Sequence, residues 1–156
     1  MTSDRQGPVL DPLSLEPRLG SSYPEPFKAS TAERIKRRLG DVLGLRSFGV
    51  NLVHLPPGSA SALRHWHSHE DEFVYVLSGR ITLVTEAGEQ VLGPGMVAGF
   101  PAGVADGHCL VNRSPETASY LEVGERRPEE DSVVYPDVDL AVAPGRIFTT
   151  KAGEPY

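Results

Sequence analysis

The stretch His65-Trp66-His67-Ser68-His69-Glu70-Asp71-Glu72 decides the fold of this chain. Residues two apart on a β-strand point to the same face, so His65 and His67 turn both imidazoles to one side. Ser68 to Asp71 have turn character, and Glu72 opens the next strand. In a hairpin, Glu72 swings beside the histidine pair. Two neutral imidazoles and a carboxylate are good ligands for a borderline divalent ion. A fourth donor comes from PAGVADGHCLVN, Pro101 to Asn112, where a Gly-rich loop delivers His108 to the start of a strand.

The flanking sequence has β texture. RSFGVNLVHL alternates and stops at Pro56-Pro57-Gly58. EFVYVLSG follows the histidines, and RITLVTEAGEQVL predicts two strands around a tight Ala87-Gly88 turn. MVAGF, HCLVN and ASYLEVGE predict three more. Short strands punctuated by 16 Gly and 14 Pro in 156 residues predict an all-β sandwich or barrel over 45–125. Residues 1–29 are rich in Pro, Ser and Gly and predict an extended arm, disordered or packed across a neighbouring subunit. Ser30 and Glu33 have capping-box spacing, which predicts a short helix to about Leu39, ended by Gly40. ERIKRRL reads equally well as an edge strand, so 30–44 is a short helix or edge segment. Residues 126–156 form a C-terminal arm in which VVYP and RIFTT are candidate edge strands.

These residues resemble the two motifs of the cupin superfamily. The first motif is matched by Gly58, His65, His67, Glu72 and Gly79, with one extra residue before His65. The second is matched by Gly95, Pro101, Gly103, His108 and Asn112, with two extra residues between Gly103 and His108. The resemblance covers roughly residues 45–124. It implies a double-stranded β-helix, or jelly-roll barrel, carrying a short N-terminal helix or arm. It implies one divalent metal ion (Zn, Fe, Mn or Ni) held by His65, His67, Glu72 and His108. The glycine register selects Glu72 over Glu70 and leaves His69 in the turn as the second choice of ligand. The chain also resembles a subgroup of small single-domain bacterial cupins, some labelled provisionally as sugar-phosphate isomerases. Small cupins commonly form dimers, so a homodimer is expected.

Several other side chains have simpler readings. Glu70 and Asp71 read as solvated turn acids, and His54 as structural. Trp66 points away from the metal face, while Phe73, Tyr75 and Leu77 read as core or interface. Asn112 reads as a backbone clamp, and Cys109 carries no chemistry. Arg64, Tyr120 and Glu122 are pocket candidates, and Arg64 and Arg113 are the cations nearest the motif for a phosphate.

Composition narrows the function classes. A formal net charge of −6 argues against nucleic acid as a partner, because phosphate contacts need clustered cations. Arg34, Lys36, Arg37 and Arg38 form a basic run that reads as a solvated helix face or strand edge. The lone Cys109 forms no internal disulfide and suits a reducing compartment. The N-terminus lacks the apolar run of a signal peptide, and no stretch is long and apolar enough to span a membrane. The expectation is a cytoplasmic protein whose partner is a small-molecule substrate or ligand, with no nucleic acid and no membrane. The expected function is that of an enzyme using the ion as a Lewis acid on a small oxygen-rich substrate, a sugar or sugar phosphate included. The reaction classes are isomerase, lyase or hydrolase. The alternatives are an Fe(II)-dependent dioxygenase and a non-catalytic small-molecule binding module.

Overall fold

A computed structural model describes residues 7–156. Strand β1 (Arg18–Leu19) is followed by β2 (Ile35–Arg38), a one-turn helix α1 (Leu39–Val42) and β3 (Phe48–Leu55). Then come β4 (Trp66–His67), β5 (Glu72–Ser78), β6 (Ile81–Thr85), β7 (Gly88–Leu92), β8 (Val97–Phe100), β9 (Cys109–Val111) and β10 (Ala118–Glu125). The last thirty residues add β11 (Val133–Val134), β12 (Ala141–Ala143) and β13 (Ile147–Thr149). Six strands form one sheet in the order β1-β2-β3-β10-β5-β8. Two smaller sheets, β7-β6-β9 and β13-β12-β11-β4, complete the all-β jelly-roll barrel. The bridge between His65 and His108 joins β4 to β9. Among the described residues no helix is long and apolar enough to cross a membrane.

Alternation sets the core. Val53 and Leu55 of β3, Val74 and Val76 of β5, and Ala118 and Tyr120 of β10 point inward against Ile81, Leu92 and Leu110. Each large apolar side chain removed from water contributes about 1.5–3 kcal/mol. Phe73, Tyr75 and Leu77 have the opposite parity and remain 40–42% exposed on the outer face of the sheet. They are therefore not core, because the inward positions of β5 are already filled.

Three local expectations change. The Ser30–Glu33 pattern does not open a helix. Ala29–Thr31 make a single 3-10 turn without a side-chain cap, and Ile35–Arg38 pair with β3 instead. Strand pairing on both sides, with β1 and β3, outweighs a short helix whose nucleation is unfavourable. The β6–β7 turn is Glu86-Ala87, one residue earlier than expected, with Gly88 already opposite Thr85 in the ladder. Both arms also find partners within the chain. Tyr23 of the N-terminal arm packs with Val133, Tyr135 and Leu140 of the C-terminal arm in a second core. Strand β11 lies against β4, with Val133 opposite His67 and Val134 opposite Trp66.

Gly79 shows what the tight β5–β6 connection demands. Its φ is +75°, in the left-handed region that side chains disfavour. A Cβ there would lie 2.8 Å from the Ala118 Cα and 2.9 Å from its Cβ. Gly79→Ala should destabilise the protein by about 2 kcal/mol or more. Gly99→Ala meets open space and should change stability by only about 0.5 kcal/mol. Denaturant melts of the two variants check the contrast.

Candidate metal centre

His65 and His108 face each other across an antiparallel bridge. Each backbone N–H donates to the other's carbonyl, at 3.1 Å from His65 and 2.8 Å from His108. Opposite residues of such a pair share a face, so the rings come together with centroids 4.7 Å apart. His67, two residues on, adds its ring 5.2 Å from that of His65. The chain then turns through Ser68–Asp71, and Glu72 at the head of β5 enters the same space. Its Oε2 accepts from the His108 Nε2–H at 2.7 Å and lies 3.5 Å from His65 Nε2. Its Oε1 lies 3.5 Å from His67 Nε2. The structure thus brings together all four of the residues singled out from sequence.

The ring nitrogens on the far side are held by the protein. His65 Nδ1–H donates to the Leu63 carbonyl at 2.8 Å, since a carbonyl can only accept. His67 Nδ1–H donates to Asp131 Oδ2 at 2.7 Å. These bonds leave the Nε2 atoms of both rings facing Glu72, as in sites where an outer carbonyl or carboxylate orients a ligating imidazole. His108 is held flat by Phe100, stacked 3.6 Å away at 3°, and its buried Nδ1 has no partner among the described residues. Nitrogen and oxygen donors in this number suit a borderline divalent ion, and His65, His67 and Glu72 form a group that can hold one.

The electrostatics are strongly coupled. Burial opposes the charged Glu72 carboxylate, yet hydrogen bonds from His108, His65 and His67 hold it well below the usual carboxylate range. Burial also works against a protonated His67, but Glu72 and then Asp131 outweigh it and carry the imidazole up to about 9. For His108, burial wins, assisted by positive potential from His65 and His67, and its value falls. Burial raises the Cys109 thiol to about 11, which keeps it an inert thiol.

Beside this cluster lies a cavity of about 620 Å³. Tyr120 and Glu122 line it, as do Glu70, Tyr23 and Tyr135. Arg64 and Arg113 do not line it. Arg64 is bound by Asp137 and Glu86, and Arg113 by Glu89. The cavity's cations come instead from the N-terminal strands and the C-terminal arm. Glu70 is not a solvated acid: it is 5% exposed, and its Oε1 accepts from Arg127 N at 2.7 Å and Arg146 at 3.2 Å. The C-terminal arm closes over it and supplies those donors. His69 stays exposed at the rim with its Nδ1 on Ser68 Oγ. Asp71 serves the adjacent loop by accepting from Ala102 N. The long loop before His108 does not hang free, because Gly103 N–H donates to the His67 carbonyl at 2.8 Å. Asn112 clamps the Leu55 and Glu116 carbonyls, a backbone role.

Asp131 was not legible beforehand. It is 5% exposed and also accepts from His69 N at 2.8 Å and Glu70 N at 3.2 Å. It lies 64 residues from His67, and no local pattern marks it.

The cupin domain family model matches residues 51–124. A solved sugar phosphate isomerase of the cupin superfamily from Silicibacter pomeroyi DSS-3 is 47% identical over 96% of each chain, with a TM-score of 0.89. A protein of Acidithiobacillus ferrooxidans ATCC 23270, provisionally named a sugar phosphate isomerase, is 36% identical over 76% of this chain and 75% of its own, with a TM-score of 0.70. The polyketide cyclase RemF from Streptomyces resistomycificus, 21% identical over 83% of this chain and 85% of its own, shares the fold with a TM-score of 0.64. No curated protein sequence matches the chain.

Asp131→Ala leaves two backbone N–H groups and the His67 Nδ1–H without their buried acceptor. It should destabilise the fold by about 3 kcal/mol, read as a lower denaturant midpoint with unchanged slope.

Proposed function

The chain belongs to the cupin superfamily, and from that premise we propose that it is a metal-dependent enzyme acting on a small sugar-like substrate. The reaction class is an isomerisation. The observation that carries this reading is the convergence of three imidazoles and Glu72 at one wall of a sugar-sized cavity. His65, His67, Glu72 and His108 would hold the ion. A divalent ion bound there acts as a Lewis acid toward a carbonyl or hydroxyl oxygen. Two relatives, 47% and 36% identical, bear a sugar phosphate isomerase name and support this class.

The chain's own groups divide the remaining work. Leu63 and Asp131 orient two of the imidazoles. Glu70 is the carboxylate placed to accept a substrate proton. Its Oε1 is bound by Arg127 N and Arg146, while its Oε2 has its nearest histidine nitrogen, His67 Nδ1, at 3.8 Å. It lines the same cavity as Glu72. Glu70→Gln keeps the shape of the side chain and should lower turnover about 10²–10⁴-fold with metal content unchanged. The assay is deuterium incorporation from D₂O at the carbon beside the carbonyl of aldose and ketose substrates. Run anaerobically with Zn²⁺, Ni²⁺ or Mn²⁺, it also separates the classes. Loss of all turnover without O₂ would transfer the protein to the Fe(II) dioxygenases. A ligand bound but recovered unchanged would make it a binding module.

Metal loading has its own signature. His65→Ala and His108→Ala should each strip the ion, measured by elemental analysis, and full occupancy in both would refute the ligand set. Because His67 holds its proton up to about 9 in apoprotein, an incoming ion must displace it. Falling pH favours the proton. Apparent metal affinity should therefore rise about tenfold per pH unit from 7 towards 9 and level off above. Titration with a competing chelator at several pH values reads this directly.

A further inference from the structure

The basic run at 34–38 lies on a strand, and strand parity sorts it. Arg34, Lys36 and Arg38 share one side of β2, and Ile35 and Arg37 take the other. Across the sheet, Lys36 stands opposite Val53, and Val53 opposite the buried Tyr120. Arg18 of β1 is the other neighbour of Lys36. The inward row therefore faces the cavity, whose lining includes the cations Arg18, Arg34, Lys36, Arg38, Arg126 and Arg146.

Most of these charges are already matched. Lys36 pairs with Glu122 at 2.5 Å, Arg38 and Arg126 with Asp41, and Arg146 with Glu70. Arg34 differs. Its Nε–H and one Nη2–H donate to the Gly20 carbonyl at 3.2 and 2.8 Å, and one Nη1–H donates to the Ser61 carbonyl at 2.5 Å. Among the described residues, no carboxylate lies within ion-pair distance of it. The guanidinium is thus half-buried, held rigid by neutral acceptors, and left with two uncommitted N–H donors out of five. A charge in that state is costly unless an anion completes it. Uncommitted guanidinium donors of this kind make charge-assisted hydrogen bonds to phosphate oxygens.

The placement also fits one molecule reaching both ends. The segment 61–65 holds Arg34 through the Ser61 carbonyl and His65 through the Leu63 carbonyl. Four residues span at most about 14 Å. A small sugar phosphate can extend from the histidine cluster to Arg34 over that distance.

We propose that Arg34, with Lys36 beside it, forms the subsite that binds the phosphate monoester end of the substrate. This rests on the cavity being the substrate site of the enzyme read above. Arg34 selects phosphorylated over neutral sugars, and Arg64 and Arg113 take no part.

The test titrates inorganic phosphate into the full-length protein by calorimetry, with acetate in parallel. His65→Ala protein is included to remove any contribution from a bound metal. Phosphate should bind in both backgrounds. Arg34→Met should weaken binding about tenfold or more, Arg34→Lys less, and Arg64→Met not at all. Glu122→Gln releases Lys36 from its partner and should tighten phosphate binding about threefold. Absence of phosphate binding in the wild type overturns the proposal. So does a folded Arg34→Met protein that binds phosphate as the wild type does, or acetate binding as tightly as phosphate through Arg34. If Arg34→Met fails to fold, the Glu122→Gln result decides, and no gain overturns the proposal. Metal content of the same samples keeps the two readings apart. Missing metal with Arg34-dependent phosphate binding defeats the enzyme reading alone, whereas full metal occupancy and turnover on neutral sugars without phosphate binding defeat this subsite alone.

Discussion

A four-residue turn between two strands leaves backbone N–H groups without ladder partners, and at 68–71 the Asp131 carboxylate takes two of them. The same carboxylate accepts the His67 Nδ1–H. It is buried, so its charge needs those donors as much as they need an acceptor. Closing the turn and orienting His67 are therefore one event. The turn length in turn sets where Glu72 enters the cluster. Because Asp131 belongs to the C-terminal arm, docking of that arm and assembly of the histidine cluster are coupled. The register of β11 on β4, with Val133 opposite His67, makes the same connection through the backbone.

This coupling explains which parts of the site were legible in the sequence. His65, His67 and Glu72 fall within eight residues, where strand parity and one turn length determine their relation. His108 came from a second motif, and its bridge to His65 gives that motif its physical meaning. Gly79 is demanded by the close approach of Ala118. Asp131 acts from 64 residues away, and nothing near it in the chain announces a buried carboxylate. Glu70 was misread for the same reason. Turn acids are usually solvated, and only the arm returning with Arg127 and Arg146 buries this one. Local periodicity sees contacts made by neighbours and is blind to a cover supplied from elsewhere in the chain.

The segment 33–39 was ambiguous because short helix and edge strand have similar local support there. The choice matters beyond secondary structure. On a helix, residues two apart lie on nearly opposite sides, so Arg34, Lys36 and Arg38 would scatter around it. On a strand they share one face, and the ladder with β3 turns that face inward. Pairing with β1 on the other side adds Arg18 to the same row. A decision made by hydrogen bonding between strands thus gathers charge into the cavity.

Net charge is a poor guide to the ligand of such a chain. At −6 the protein as a whole repels anions, which argues against nucleic acid over its surface. The cavity has a different balance, with six cations in its lining against the carboxylates of Asp41, Glu70, Glu72, Glu122 and Glu125. Four of those cations are answered by ion pairs with the lining carboxylates. Glu72 is answered by the histidines. Two are left over among the described residues: Arg18, exposed on β1, and the half-buried Arg34, fixed by carbonyls that neutralise nothing. Inside a partly enclosed space one such charge is screened far less than the same charge on the surface, so local imbalance governs what enters. The acidic exterior and the cationic pocket are compatible because they act over different distances.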